Sequence, residues 1–112
     1  MAPTDETDRR DVGFDSTLLF RYSALTFNGH RIHYDLDYAR DVEGYAGLVV
    51  HGPLLAQHLM LLAESHLGTL RTFSFRATAP LMHFETATFC WKHGHLWVRA
   101  PDGRQCMTAS AE

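Results

Sequence analysis

Gly52-Pro53-Leu54-Leu55-Ala56-Gln57-His58-Leu59-Met60-Leu61-Leu62-Ala63-Glu64-Ser65-His66-Leu67-Gly68 decides how the rest of this sequence has to fold. Proline suits the opening of a helix, where its missing N–H has no intrahelical partner to lose, and Gly68 supplies a stop. From Leu54 to Leu67 only Gln57, His58, Glu64, Ser65 and His66 are polar, so apolar side chains cover most of the circumference. A helix of that kind must be surrounded by protein.

The sequence that follows supplies the surroundings. Phe73, Phe75, Ala77 and Ala79 alternate with Thr72, Ser74, Arg76 and Thr78, the period of a half-buried strand, which ends at Pro80. Ala87, Phe89 and Trp91 alternate with Thr86, Thr88 and Cys90; His93-Gly94 turns the chain into Leu96, Val98 and Ala100. After the turn Pro101-Asp102-Gly103, the run from Gln105 to Ala111 sets Met107, Ala109 and Ala111 on one face. One thoroughly apolar helix and an antiparallel meander make an α+β domain, and the least costly burial of the helix is a curved sheet wrapped around it. Periodicity alone leaves other α+β arrangements open.

Upstream the pattern is weaker. Met1 to Asp15 is polar with only Val12 and Phe14 as sizeable apolar groups, and reads as a flexible tail, leaving residues 16–112 as the folded domain. Ser16 suits the N-cap of a segment over Thr17 to Thr26 that would serve as helix or buried strand. The polar stretch Asn28-Gly29-His30-Arg31 leads to Ile32-His33-Tyr34-Asp35, which looks extended, and Asp37 to Arg40 looks like one helical turn. Gly44 and Gly47 break the chain before Leu48-Val49-Val50.

With 112 residues, 46% of them hydrophobic, there is room for one domain with one core. So small a domain gains stability by association, which makes an oligomer the expectation. A net charge of −3 without a run of Lys or Arg argues against nucleic acid as partner. No apolar run is long enough for a bilayer and the first fifteen residues lack the centre of a secretion signal, so a soluble, cytoplasmic protein is expected. Cys90 and Cys106 form no CxxC and read as reduced thiols within strands. His30 with His33, and His93 with His95, lack further ligands at zinc-site spacing, so no metal is expected.

Two features suggest chemistry. His33 follows a polar loop, and an imidazole is suited to proton transfer near neutral pH; the alternative is a hydrogen-bonded structural histidine. His51-Gly52 opens the buried helix, where the first amides carry the positive end of the dipole, so Gly52 can offer an N–H to an anionic oxygen or simply act as a cap.

The stretch Tyr22-Ser23-Ala24-Leu25-Thr26-Phe27-Asn28-Gly29-His30-Arg31-Ile32-His33-Tyr34-Asp35, followed by Gly44-Tyr45 and Gly47-Leu48-Val49-Val50-His51-Gly52, resembles the MaoC-like hydratase/dehydratase family. That family's motif places an acidic residue five positions before a histidine, an alanine beyond it and a His-Gly pair at the central helix; His33, Ala39 and His51-Gly52 match. The resemblance is nearest to the C-terminal domain of mesaconyl-CoA-type hydratases and to mitochondrial 3-hydroxyacyl-thioester dehydratases, and extends through Phe73 to Ala77 and Pro80-Leu81. It implies a hotdog fold, hydration or dehydration of an enoyl or 3-hydroxyacyl thioester, and no cofactor beyond the substrate's own coenzyme A or acyl carrier protein. His33 and Asn28 are the catalytic candidates, and Gly52, His51 and Arg76 the substrate-binding ones.

One departure stands out: Asn28 occupies the position of the acidic residue, and an amide cannot exchange a proton as a carboxyl group does. It can hold a water, leaving proton transfer to His33. In such relatives the domain is often the second of two hotdogs, so a homodimer or a heterodimer with a second hotdog chain is implied. The competing readings are a non-catalytic acyl-thioester-binding subunit and a thioesterase, for which Glu64 is the obvious carboxylate. Arg31, Arg99 and Arg104 are equally available to the nucleotide end of coenzyme A.

Overall fold

The central helix forms because its apolar surface has somewhere to go. The computed structural model describes residues 1–112, and α3 (Gly52–Leu67) runs across one face of a five-stranded antiparallel sheet. The strands are β1 (Asp8–Val12), β2 (Phe73–Ala77), β3 (Ala87–Lys92), β4 (His95–Arg99) and β5 (Gln105–Ala111), in the order β1-β3-β4-β5-β2. This is the expected hotdog arrangement. Leu59 and Leu62 of α3 are fully buried, in one cluster with Phe89, Leu96, Val98 and Met107 from the sheet.

Leu59 sits midway along α3 with no exposed surface. Truncation to Ala removes its packing and leaves a cavity that the rigid sheet fills only in part, so Leu59→Ala is expected to cost about 2–5 kcal/mol. A urea melt checks this through a lower midpoint at unchanged slope.

The N-terminal residues correct the expectation of a flexible tail. Asp8 to Val12 pairs with β3 in register from Asp8 opposite Trp91 to Val12 opposite Ala87. Residues before β1 cross the outer face of the sheet: Ala2 packs with Cys90 and Trp97, and the Trp97 indole N–H donates to the Pro3 carbonyl at 3.1 Å. Arg99 fixes this strap with a bidentate pair to Glu6, both bonds 2.8 Å, which holds the Glu6 carboxyl at about 2. The middle of the sheet is therefore covered on both sides, which explains why Cys90, predicted on the opposite face from Phe89, is equally buried.

Between β1 and α3 the chain forms α1 (Ser16–Thr26), a single 3-10 turn at Arg31–His33, and α2 (Leu36–Asp41). The ambiguous segment is thus a helix, and its N-cap is Asp15 rather than Ser16, with the Asp15 carboxylate accepting from the Leu18 N–H at 2.7 Å. The 3-10 turn replaces the expected extended run at residues 32–35. Strand β2 lies at the sheet edge, so Phe75 is about half exposed rather than half buried by a neighbour. No helix is long and apolar enough to cross a membrane.

Candidate active site

The 3-10 turn, α1 and the start of α3 bring three histidines and a serine together. Leu48-Val49-Val50 is the frame. The Val49 N–H donates to the Ile32 carbonyl at 2.9 Å, the Val50 N–H to Leu81 at 2.8 Å, and the His83 N–H to Leu48 at 2.8 Å. Gly47 permits this close approach, because a Cβ there would lie 2.8 Å from the Phe84 ring and 2.9 Å from His83 Nδ1. The Val49 carbonyl is left over, and it accepts a hydrogen bond from His33 Nδ1 at 2.7 Å.

That bond fixes the tautomer. A carbonyl only accepts, so Nδ1 carries the proton and Nε2 of the neutral ring keeps its lone pair. His33 is 6% exposed; burial pushes its pKa below the ordinary histidine range and His30 lowers it further, against the Val49 bond, which raises it. The ring is therefore neutral at pH 7 and able to accept a proton at Nε2.

His51, the N-cap residue of α3, stacks on His33 with ring centroids 3.8 Å apart and planes 18° apart. The imidazole of residue 33 thus lies at the mouth of the buried helix. His51 was expected to bind substrate, but it has no exposed surface; its Nε2 is bonded to Ser23 Oγ at 2.7 Å and its other face meets Tyr22 edge-on. Its contact with the outside runs through Ser23. Burial, with His33 beside it, pushes the His51 pKa down to about 4.

A stability prediction follows from that depression. The unfolded chain protonates this histidine from about pH 6.5, whereas the folded chain resists until about pH 4, so the contribution is whole above pH 6.5 and is lost as pH falls through that window. The interval corresponds to about 3 kcal/mol. Glu6 contributes in the same sense only further down, between its ordinary value of 4.5 and about 2. Urea midpoints at pH 7 and pH 5 should differ in the native protein, and much of that difference should vanish in His51→Phe.

Ser23 and Asn28 share a cleft of about 360 Å³ with Phe20, Ala24, Phe27, Gly29 and Tyr34. They meet there because α1 ends with Phe27 in the left-handed region (φ 54°), which lets the Asn28 N–H donate to the Ser23 carbonyl at 2.9 Å. Asn28 Oδ1 accepts from the His30 N–H at 3.0 Å, so its NH2 group is the part left for a ligand. The cleft walls are otherwise apolar, and Phe27 is 96% exposed.

Gly52 is the first residue of α3, and its N–H has no backbone acceptor. Beyond its chain neighbours, a Cβ there would meet nothing closer than the Met107 methyl at 4.0 Å. His33, His51 and Gly52 therefore meet at one helix mouth, and Asn28 lies in the adjoining cleft, which touches that group through Ser23. Arg76 does not join them: it lies on β2 opposite Thr108, in a surface groove with Ser74, His95 and Ser110. Glu64, which a thioesterase would need near the carbonyl, is three turns down α3 from Gly52, roughly 18 Å away at 1.5 Å per residue. Arg99 and Arg104 are engaged with Glu6 and with Glu85 and Asp102, and Arg31 with Asp35.

Sequence reasoning missed Ser23. A signal was present, since Ser23 falls four residues after Leu19 on the buried side of α1, where a polar side chain requires a partner.

Comparison with known proteins places the chain in a class. The (R)-hydratase from A. caviae involved in PHA biosynthesis superposes with a TM-score of 0.76 at 18% identity, covering 93% of this chain and 89% of that one. The ChsH1-ChsH2 complex from Mycobacterium tuberculosis gives 0.75 at 16% identity, covering 93% and 90%. These likenesses establish the hotdog fold of such hydratases. The family model for hydroxyacyl-thioester dehydratase type 2 matches residues 1–83, and the chain belongs to that family. Mesaconyl-C(4)-CoA hydratase of Chloroflexus aurantiacus is 47% identical over 119 aligned positions, which take in all of this chain and 42% of the relative's length. The chain thus spans less than half of that relative.

Proposed function

We propose that this chain reversibly hydrates an enoyl thioester to its 3-hydroxyacyl thioester, with coenzyme A as the carrier. The observation that carries this reading is the His33 imidazole, bonded through Nδ1–H to Val49 and stacked on the N-cap of α3, with Nε2 free to take a proton. In the hydration direction, the thioester carbonyl accepts the Gly52 N–H, which draws electrons from the double bond and stabilises the enolate-like state. A water held by the Asn28 NH2 group adds through its oxygen to Cβ while its proton passes to His33 Nε2. The imidazolium then returns that proton to Cα, so H and OH have been added and the ring is neutral again. Dehydration is the reverse sequence.

The second member of the assembly is another hotdog chain, either a copy of this one or a separate polypeptide. Support comes from β2, an edge strand with one side unpaired and Phe75 half exposed, and from the likeness to a two-chain complex. Native mass of the purified protein, alone and with a co-expressed partner, separates the two forms.

Crotonyl-, mesaconyl- and itaconyl-CoA test the reaction. The expected result is loss of double-bond absorbance without release of free thiol. Thiol release would assign a thioesterase, and binding without either change would assign a non-catalytic acyl-thioester subunit.

A further inference from the structure

We infer that Ser23 is a positioning residue for His33 and acts through His51. The inference rests on the reading of His33 as the proton-transfer group, and it concerns a serine that the reaction scheme does not use. Three contacts in series carry it. Ser23 Oγ is 2.7 Å from His51 Nε2, the His51 ring lies 3.8 Å over the His33 ring, and His33 Nδ1 is 2.7 Å from the Val49 carbonyl. The second of these is a face contact between two rings, which has no hydrogen bond of its own to hold its geometry.

What fixes His51 is therefore decisive. Its Nδ1 is buried with no hydrogen-bond partner, and the Tyr22 ring meets it only edge-on with centroids 4.8 Å apart. The bond to Ser23 is the single polar restraint on this imidazole. Without it both ring nitrogens are unsatisfied in a dry site, and the side chain gains by turning to let water reach them. Water that reaches His51 also reaches the face of His33 that His51 covers, its centroid 3.8 Å away; His30 is more distant, at 6.2 Å. The groups facing His33 from the packed elements are these two histidines; Tyr22 and Ser23 stand behind His51. None is an acid, so the condition of the His33 ring depends on dryness rather than on a compensating charge.

Ser23 is also the place where the cleft touches this stack. Its hydroxyl lines the cleft with Asn28 while its bond reaches the buried His51.

The test is an NMR titration of the His33 imidazole, assigned with His33→Gln, in the native protein and in Ser23→Ala, His51→Asn and the double variant. Ser23→Ala is expected to move the His33 midpoint upward, toward the ordinary histidine value, as water enters. His51→Asn should move it in the same direction, and the double variant no further than His51→Asn alone, because the serine has lost the ring through which it acts. If Ser23→Ala does not fold, Ser23→Cys, of similar size but a weak hydrogen-bonder, replaces it. An unchanged His33 midpoint in the serine variant, or shifts that simply add in the double variant, overturns the inference. The titration needs no turnover, so failure of the hydratase reading appears separately, as native activity that survives His33→Gln.

Discussion

His33→Gln is expected to lower the hydration rate by a factor of about 10² to 10⁴ while leaving the protein folded. Glutamine is close to histidine in reach; its amide stands near the Nε2 position, so the Val49 carbonyl loses its Nδ1–H donor while the three backbone hydrogen bonds of the frame remain. The 3-10 turn and the Leu48-Val49-Val50 frame should therefore persist, and the melting temperature should change by no more than a few degrees. What is lost is the lone pair at Nε2, on a ring that burial keeps neutral at pH 7. His51 cannot replace it, because its Nε2 is committed to Ser23 and its pKa of about 4 makes it a weak base. Protonation of His33 also sets the pH dependence. Hydration requires neutral His33, so the rate falls on the acid side as this ring is protonated, and burial carries that limb below the range of an ordinary histidine. Stopped-flow absorbance across pH 4 to 8 with crotonyl-CoA measures both. Near-native turnover in a folded Gln variant would remove His33 from the mechanism.

The parts of this fold that were legible are those whose own residues dictate them. Helix α3 is apolar nearly all round, and strands β3 to β5 alternate cleanly, so their types follow from local pattern. Strand β1 was not legible because Asp8-Arg9-Arg10-Asp11-Val12 has almost nothing to bury. It is an edge strand held by the backbone of β3 and by a Glu6–Arg99 pair that joins residues far apart in sequence. The turn at Phe27 shows a different failure. In Phe27-Asn28-Gly29 the left-handed position would be sought at Asn28 or Gly29, yet the aromatic residue adopts it and closes α1. At the site, His33 and the His51-Gly52 pair were visible through their motif and through the special character of a helix start. The contact between Ser23 and His51, 28 residues apart, was not, because no local pattern encodes the packing of α1 against the mouth of α3. Arg76 illustrates the reverse error: alternation placed it correctly on the polar face of its strand, but that face looks away from the helix.

Gly52→Pro is expected to reduce kcat by about 10² to 10³, with little effect on stability, whereas Gly52→Ala should retain most of the activity. Both substitutions add a Cβ before Pro53, which restricts the preceding residue alike in each, so comparing the two isolates the N–H. Position 52 opens α3, where proline is welcome, and the Gly52 N–H has no backbone acceptor to lose. His51 before it is extended (φ −61°, ψ 132°), the conformation that a following proline demands. Beyond its chain neighbours, an added Cβ meets nothing closer than the Met107 methyl at an ordinary 4.0 Å. The two variants therefore share the loss of glycine and differ chiefly in one hydrogen. In the proposed reaction, that hydrogen faces a carbonyl oxygen whose negative charge grows as water adds, and it lies at the positive end of a 16-residue helix. A donor aimed at developing charge in a dry site contributes about 3 kcal/mol to the transition state, much more than to the bound substrate. The loss should consequently appear in kcat and kcat/KM together rather than in KM alone. Equal kcat in the Ala and Pro variants, both folded, would mean that the oxygen is stabilised elsewhere, and the role of the helix mouth would then be confined to holding His51 beneath His33.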